Sequence, residues 1–154
     1  MLYLTDTNVL LRLAEPRHPM HAAAQNAINT LVTDNNGVCV IPQNIIEFCN
    51  VATRQVDQNG LGFTHQQTLA EVEKIERLFL LIPDTPAIYG EWKRLVFAYS
   101  VSGRQVHDAR IAAAMNIQGI THLLTFNKDD FKRFTGIVAV SPVELPPPPQ
   151  SAQP

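Results

Sequence analysis

The chain has 154 residues, of which 45% are hydrophobic and 17% charged, a composition typical of one globular domain with a full core. Its 12 basic and 14 acidic residues give a formal charge of -2, which argues against nucleic-acid binding by bulk positive charge. No apolar window reaches the roughly 18 residues of a membrane span, and Asp6 and Arg12 interrupt the first apolar segment, so we expect a cytoplasmic protein and no membrane partner.

Short apolar runs alternate with amphipathic stretches along the chain. The predicted strands cover residues 2–5, 38–41, 78–82, 122–125 and 137–140. The predicted helices cover residues 8–14, 19–34, 43–57, 64–77, 85–100, 106–118 and 128–134. This alternation predicts an α/β fold: a three-layer α/β/α sandwich with a central parallel sheet of four to five strands.

The sequence predicts one folded domain, residues 1–143, and a proline-rich tail, residues 144–154. After Leu145 the tail reads PPPPQSAQP, with no apolar side chain larger than alanine or a proline ring. Such a segment has nothing to pack into a core, so we expect it to be extended or disordered.

Asp6 ends the first predicted strand, in the run LYLTDTN that spans residues 2–8. A strand of a parallel sheet delivers such an acid to the carboxyl edge, where open α/β sheets bind their ligands. The alternative role is an N-cap of the next helix, shared with Thr7 or Asn8.

Two more acids interrupt apolar helical patterns. Glu47 lies with Asn44 at the margin of an apolar stripe, and Asp108 starts a helix whose apolar face includes Ile111 and Met115. The alternatives are a surface glutamate and an aspartate placed to favour the helix dipole. Burying an unpaired carboxylate costs on the order of several kcal/mol, which a bound cation would offset. Three such acids from distant segments therefore indicate a shared cation.

A fourth polar group follows the fourth predicted strand, where Thr125, Asn127 and Asp130 come in quick succession. An Asx-type turn or helix cap is the alternative interpretation of this segment. Carboxylate and amide oxygens without paired His or Cys suit Mg²⁺ or Mn²⁺. Such ions activate water and neutralise the charge of a phosphoryl transition state, so the pattern predicts phosphodiester hydrolysis.

The order of these motifs resembles a PIN domain, and most closely the VapC-like ribonuclease toxins of bacterial toxin–antitoxin pairs. The resemblance covers about residues 1–143 and rests on Asp6-Thr7-Asn8, Glu47, His107-Asp108-Ala109 and the segment 125–131. It implies Mg²⁺ or Mn²⁺ held by Asp6, Glu47 and Asp108, with Asn127 completing the catalytic set. It also implies an RNA substrate, a cognate antitoxin that covers the acidic groove, and a homodimer.

Asn127 departs from the family pattern, because many members carry aspartate at this position. One neutral oxygen predicts a weaker second-ion site, which Asp130 would support from one turn further on. Thr125 is predicted to orient a water or a carboxylate, and Asn8 to hydrogen-bond Asp6 or a metal-bound water.

Four basic residues lie near the predicted edge of the site and are candidates to hold RNA phosphates: Arg12, Arg104, Arg110 and Lys128. For each of them, a solvated surface side chain is the alternative.

The predicted function is a metal-dependent endoribonuclease, the toxin of a type II toxin–antitoxin pair. A second hypothesis, favoured by Asn127, is a PIN-fold module that binds RNA or protein with weak or no catalysis. A phosphatase of the haloacid dehalogenase type with Asp6 as nucleophile is disfavoured, because Asn8 stands where that class needs a second acid.

Overall fold

The computed structural model describes residues 1–147, which form one parallel five-stranded sheet between two layers of helices. The strands are β1 (Leu2–Thr5), β2 (Gly37–Val40), β3 (Leu80–Leu81), β4 (His122–Leu124) and β5 (Val138–Val140). The α-helices are α1 (Thr7–Leu13), α2 (His21–Thr33), α3 (Pro42–Thr53), α4 (His65–Leu78), α5 (Ala87–Ala98) and α6 (Gln105–Gln118). Short 3-10 turns cover Val56–Gln58, Lys128–Phe131 and Pro142–Glu144. The predicted three-layer α/β/α fold is confirmed.

The strand order β3-β2-β1-β4-β5 places the first strand at the centre of the sheet. The chain adds β2 and β3 on one side of β1, and then β4 and β5 on the other. The direction of winding therefore reverses between β1 and β4. In open α/β sheets this reversal opens a crevice outside the carboxyl ends of the two strands, and ligands bind there.

Alternate residues of the central strands feed two separate cores, because successive strand side chains point to opposite faces. Leu4 and Leu123 pack into the core under α5 and α6. Tyr3 and Leu124 pack into the core under α1, α2, α3 and α4. Leu4, Leu123 and Leu124 are fully buried, which explains why these strands read as short continuous apolar runs.

Local signals set several element ends where the sequence predicted them. Thr64 Oγ1 accepts from the Gln67 backbone amide at 3.1 Å while Gln67 Oε1 accepts from the Thr64 backbone amide at 2.9 Å, so a capping box begins α4. Pro42 occupies the first turn of α3. Gly119 ends α6 with a φ of 68°, a left-handed conformation that glycine adopts without strain.

Three predicted elements are wrong in extent. The helix predicted over 43–57 ends at Thr53, because the backbone of Arg54 is extended. The third strand contains only Leu80–Leu81, because α4 continues through Leu78. Phe79 is the C-cap of α4 and is buried in the core under α1 to α4. The predicted helix 128–134 is a 3-10 turn over Lys128–Phe131. Phe131 and Phe134, three residues apart, are both buried, and a single tight turn is enough to bring both rings inward.

The first residues of the predicted tail contact the domain. Leu145 packs against the core under α1 to α4, and the Pro146 carbonyl accepts a 2.6 Å hydrogen bond from Thr30 Oγ1. The rest of the predicted tail, residues 148–154, lies outside the described residues. Within residues 1–147, no helix combines the length and apolarity that crossing a membrane requires.

Candidate active site

Asp6 lies between β1 and α1 and acts both as a helix cap and as the floor of a cleft. Its Oδ1 accepts a 2.7 Å hydrogen bond from the Thr7 amide, and its side chain is almost completely buried at 7% exposure. Its backbone amide donates to the Leu124 carbonyl at 2.9 Å and so fixes the residue to the end of β4. The N-cap role predicted as an alternative is real, but it uses only one carboxylate oxygen.

The other oxygen of Asp6 belongs to a network that joins the ends of β1 and β4. Asp6 Oδ2 accepts from Thr125 Oγ1 at 2.7 Å and from Asn8 Nδ2 at 2.9 Å. Asn8 also donates to Thr125 Oγ1 at 3.0 Å and accepts from the Phe126 amide at 3.1 Å. The backbone amide of Asn127 donates to Thr125 Oγ1 at 3.0 Å. Two short polar side chains, Asn8 and Thr125, thus hold the carboxylate in one orientation.

The pKa of Asp6 is raised to about 6, mainly by burial and to a smaller extent by the charges of Glu47 and Asp130. The hydrogen bonds from Thr125 and Thr7 act in the opposite direction, because they favour the charged form. The Asp6 carboxyl group is therefore buried, and within residues 1–147 its hydrogen-bond donors are neutral groups.

Glu47 reaches the same region from the middle of α3, with both of its oxygens hydrogen-bonded. Oε2 accepts from Thr7 Oγ1 at 3.0 Å and Oε1 accepts from Gln43 Nε2 at 2.7 Å. Gln43 precedes Glu47 by four residues and lies on the same face of the helix. Glu47 is half-buried, so its predicted place at the margin of the apolar face is where the structure puts it.

Asp108 enters from the opposite helical layer, in the first turn of α6. The pKa of this carboxyl is raised to about 7, mainly by burial and then by the charges of Asp130, Asp6 and Glu47, while Arg104 lowers it. The side chain is half-buried. The mutual influence of these acids means that they face a common space.

That space is a cleft of about 890 Å³ at the carboxyl edge of the sheet. Its lining includes the acids Asp6, Glu47, Asp108 and Asp130, together with Asn127. Asn127 is exposed and Asp130 is half-buried. Among the described residues, no three His, Cys, Asp or Glu side chains already surround an ion position, so closing on a cation requires side-chain adjustment.

The four basic candidates divide into two groups. Arg104 and Arg110 line the cleft, whereas the described lining includes neither Arg12 nor Lys128. Arg12 pairs with Glu15 at 2.6 Å and Lys128 pairs with Glu144 at 2.6 Å.

Arg110 is held on one side of the cleft. Its guanidinium donates to Asp84 at 2.9 Å and to Gln43 Oε1 at 3.0 Å. Of the four candidates, Arg104 alone combines a place in the cleft with the absence of an ion pair within residues 1–147.

Several residues of the cleft lining were not site candidates from the sequence, among them Thr7, Gln43 and Arg54. Gln43 and Arg54 stand four residues before and seven residues after Glu47, a spacing that puts all three on one face of a helix. This periodicity was the available signal for both. Thr7 was considered only as a helix cap, although it follows Asp6 directly and contacts Glu47.

The fold and the cleft define a class of protein: a doubly wound α/β domain with a carboxylate-lined crevice at its switch point. Residues 3–137 match the family model of the PIN domain. The chain therefore belongs to the PIN domain family. A search of curated protein sequences finds no match.

Solved structures with a similar fold share little sequence identity with this chain, and several of them contain VapC proteins. The chain is similar to a structure of VapBC2 from Rickettsia felis bound to promoter DNA, with a TM-score of 0.70, 16% identity, and coverage of 92% of this chain and 98% of that one. A toxin–antitoxin complex from Klebsiella pneumoniae has a TM-score of 0.63 and 21% identity, with coverage of 91% of this chain and 97% of that one. VapC20 of Mycobacterium tuberculosis, a toxin that cleaves the sarcin-ricin loop, has a TM-score of 0.61 and 16% identity, with coverage of 84% of this chain and 92% of that one. The fold is VapC-like.

Proposed function

We propose that this PIN domain is an endoribonuclease that hydrolyses RNA phosphodiester bonds with Mg²⁺ or Mn²⁺. The observation that carries the proposal is the presence of four carboxylates, Asp6, Glu47, Asp108 and Asp130, in one cleft at the switch point of the sheet. The raised pKa values of Asp6 and Asp108 support it, because carboxylates with too little positive charge nearby favour a cation.

The donor set fits a hard divalent ion. It offers carboxylate oxygens and the amide oxygen of Asn127, which are the ligands that Mg²⁺ and Mn²⁺ prefer. Across residues 1–147, no lysine or arginine forms an ion pair with any of the four acids. We propose that Asp6, Glu47 and Asp108 hold the ion. When bound, it would supply an activated water and neutralise charge at phosphorus.

The remaining residues of the cleft have roles that their contacts support. Asn8 and Thr125 fix the orientation of Asp6 through three hydrogen bonds of 2.7–3.0 Å. Asp130 adds negative charge next to Asp108, opposite the neutral side chain of Asn127. We propose that this acid supports the ion where Asn127 provides one neutral oxygen.

We further propose that the protein is the toxin of a type II toxin–antitoxin pair. The support is the VapC-like fold, which solved VapBC and other toxin–antitoxin complexes share. An antitoxin would then cover the acidic cleft and keep RNA out. A homodimer and a cytoplasmic location remain predictions.

Cleavage of RNA with Mg²⁺ or Mn²⁺ tests the enzymatic proposal. The wild type is expected to cut RNA only with the ion, and Asp6→Asn and Asp108→Asn are each expected to reduce the rate at least about 100-fold. Asp57→Asn, at an exposed position in a 3-10 turn, is the matched control and should keep wild-type activity. Equal activity in all four proteins would contradict the assignment of these acids.

A binding module with weak or no catalysis is the second candidate. The open arrangement of the acids and the neutral Asn127 favour it. Calorimetry with Mn²⁺ discriminates between the two functions. Saturable binding that Asp6→Asn abolishes supports the nuclease, whereas no saturable binding by the wild type supports the module.

Growth assays test the toxin assignment separately. Expression of the wild type in bacteria is expected to arrest growth, and expression of Asp6→Asn is not. Co-expression of a small DNA-binding protein encoded directly upstream should relieve the arrest. Growth unaffected by an active nuclease would contradict the toxin role and leave the enzymatic proposal in place.

A further inference from the structure

Gln43 is a buried polar side chain with both amide hydrogens and its amide oxygen directed at specific partners. It is 7% exposed and lies one helical turn before Glu47 in α3. Its Nε2 donates to Glu47 Oε1 at 2.7 Å and to the His107 carbonyl at 2.9 Å, and its Oε1 accepts from Arg110 Nη1 at 3.0 Å. Neither amide hydrogen is spare.

Arg110 determines which way the Gln43 amide points. A guanidinium carries only donors, so the amide oxygen must face Arg110 and the amide nitrogen must face Glu47. The reverse orientation would bring two donors together at Arg110 and two acceptors together at Glu47. Asp84 accepts from Arg110 Nη2 at 2.9 Å and fixes the far end of the guanidinium. The four side chains form one directional chain that ends on the Glu47 carboxylate.

The same amide ties together the two helices that carry acids of the cleft. Its bond to the His107 carbonyl joins α3 to the first turn of α6, one residue before Asp108. Its bond to Glu47 and the bond from Thr7 occupy one position on each carboxylate oxygen. An ionised carboxylate has about four lone-pair sites, so both oxygens keep a free position for a cation.

We propose that Gln43 is a positioning residue, oriented by Arg110, that holds the Glu47 carboxylate in a fixed orientation beside the first turn of α6 for the binding of one divalent cation. The inference rests on the proposed metal-dependent function and assigns two residues to it. It gives Arg110 a different role from the phosphate contact predicted from the sequence, because its donors are already directed at Gln43 and Asp84.

Calorimetric titration with Mn²⁺, without RNA, tests the role of Gln43 directly. Gln43→Met keeps the length of the side chain and removes its polar atoms. It is expected to weaken Mn²⁺ binding about 10-fold, as loss of an outer partner of a metal ligand does. Gln118→Met is the matched control, because this half-buried glutamine donates to the Pro83 carbonyl from the C-terminal end of α6, and the variant should bind Mn²⁺ as the wild type does.

Substitutions of Arg110 test the orientation step without touching a buried residue. Arg110→Met removes the donors and should weaken Mn²⁺ binding several-fold, while Arg110→Lys retains a cationic donor toward Gln43 and should recover most of the affinity. Arg94→Met, which breaks an exposed arginine–glutamate pair on α5, is the control and should leave the affinity unchanged.

The thermal unfolding midpoint of each variant separates positioning from simple packing. A lower midpoint with unchanged Mn²⁺ affinity in Gln43→Met would overturn the proposal, and so would equal affinity in Arg110→Met and Arg110→Lys. If Gln43→Met does not fold, the Arg110 pair alone decides. Failure of the wild type to bind Mn²⁺ contradicts the metal-dependent function itself. Wild-type binding that Glu47→Gln weakens but neither Gln43→Met nor Arg110→Met affects contradicts only the positioning role.

Discussion

Thr125 Oγ1 donates a 2.7 Å hydrogen bond to Asp6 Oδ2 and thereby joins two residues that are 119 positions apart in the chain. The bond connects the ends of β1 and β4, the two strands at which the sheet reverses its winding. The donors to the Asp6 side chain are neutral groups, so the carboxylate is oriented but its charge is not neutralised. An oriented and uncompensated carboxylate is suited to receive a cation.

Removal of the Thr125 hydroxyl is expected to destabilise the protein most strongly where Asp6 is charged. Thr125→Val should lower the free energy of unfolding by about 2–3 kcal/mol at pH 8, because a buried carboxylate loses a donor, and by less at pH 5. Urea unfolding with EDTA at both pH values measures the difference.

Thr125→Ser is the control, since it keeps the hydroxyl and should lose at most about 1 kcal/mol. A second control places Thr125→Val in an Asp6→Asn background, where the pH dependence of its effect should disappear. An equal loss at pH 5 and pH 8 in the wild-type background would show that the hydroxyl contributes through packing alone.

The metal-free protein is expected to become less stable as the pH rises from 4 to 8. Burial raises the pKa of Asp6 to about 6 and that of Asp108 to about 7, above their ordinary value of 3.8. Over this range the folded state holds protons that the unfolded state has lost, so the free energy of unfolding decreases with pH. Asp6 alone would account for a decrease of about 3 kcal/mol.

Denaturant unfolding with EDTA at several pH values checks this slope. Asp6→Asn should reduce the slope, because the amide does not titrate, and leave the part that Asp108 contributes. Mn²⁺ should stabilise the protein more at pH 8 than at pH 5, since the ligands must lose their protons to bind it. A metal-free protein that gains stability between pH 5 and pH 8 would contradict the environment assigned to Asp6.

Residues in buried strands and capped helices were predictable because their signals are local. β1 is a continuous apolar run that ends at Asp6, and Thr64 with Gln67 marks the start of α4 within four residues. The contact between Gln43 and Glu47 was within reach for the same reason, because i and i+4 neighbours touch on any helix.

Contacts that depend on the placement of whole elements were not predictable in this way. Asp84 and Arg110 meet only because the loop before α5 lies beside α6, and no periodicity links positions 26 residues apart. The length of β3 was overestimated for a related reason. The apolar run at residues 78–82 is compatible with either a helix or a strand. In the structure α4 continues through Leu78, and the Phe79 side chain that follows it is buried.

Asp130→Asn is expected to stabilise the metal-free protein and to weaken its metal binding. Asp130 contributes to the raised pKa of both Asp6 and Asp108, so its removal relieves repulsion between like charges. The same change removes an acid that favours a cation, and we expect about 10-fold weaker Mn²⁺ binding. Thermal unfolding with EDTA and calorimetry with Mn²⁺ measure the two effects.

Asn127→Asp is the reciprocal variant at the exposed edge of the cleft. It should tighten Mn²⁺ binding and lower the metal-free stability, because it adds a further carboxylate to a lining that already holds Asp6, Glu47, Asp108 and Asp130, and Asp84 paired with Arg110. Asp129→Asn serves as the control, since this exposed acid pairs with Lys132 and is not part of the cleft lining described for residues 1–147. Asp130→Asn and Asp129→Asn with the same Mn²⁺ affinity would remove Asp130 from the site.

Arg104 is expected to contribute to RNA affinity and little to the chemical step. It is exposed at the N-terminus of α6, lines the cleft, and lowers the pKa of the neighbouring Asp108. Arg104→Ala should raise the KM for RNA about 3- to 10-fold with a small change in kcat. In an inactive Asp6→Asn background, fluorescence anisotropy should show that the slope of log affinity against log salt falls in magnitude by about 0.7, which corresponds to the loss of one phosphate contact on a single strand.

Arg17→Ala, at an exposed position outside the described cleft lining, is the control and should leave both the KM and the salt slope unchanged. If both variants behave alike, the phosphates are held elsewhere. If Arg104→Ala lowers kcat instead, the arginine acts on the reacting phosphate, because a contact made equally in the bound and transition states changes only KM.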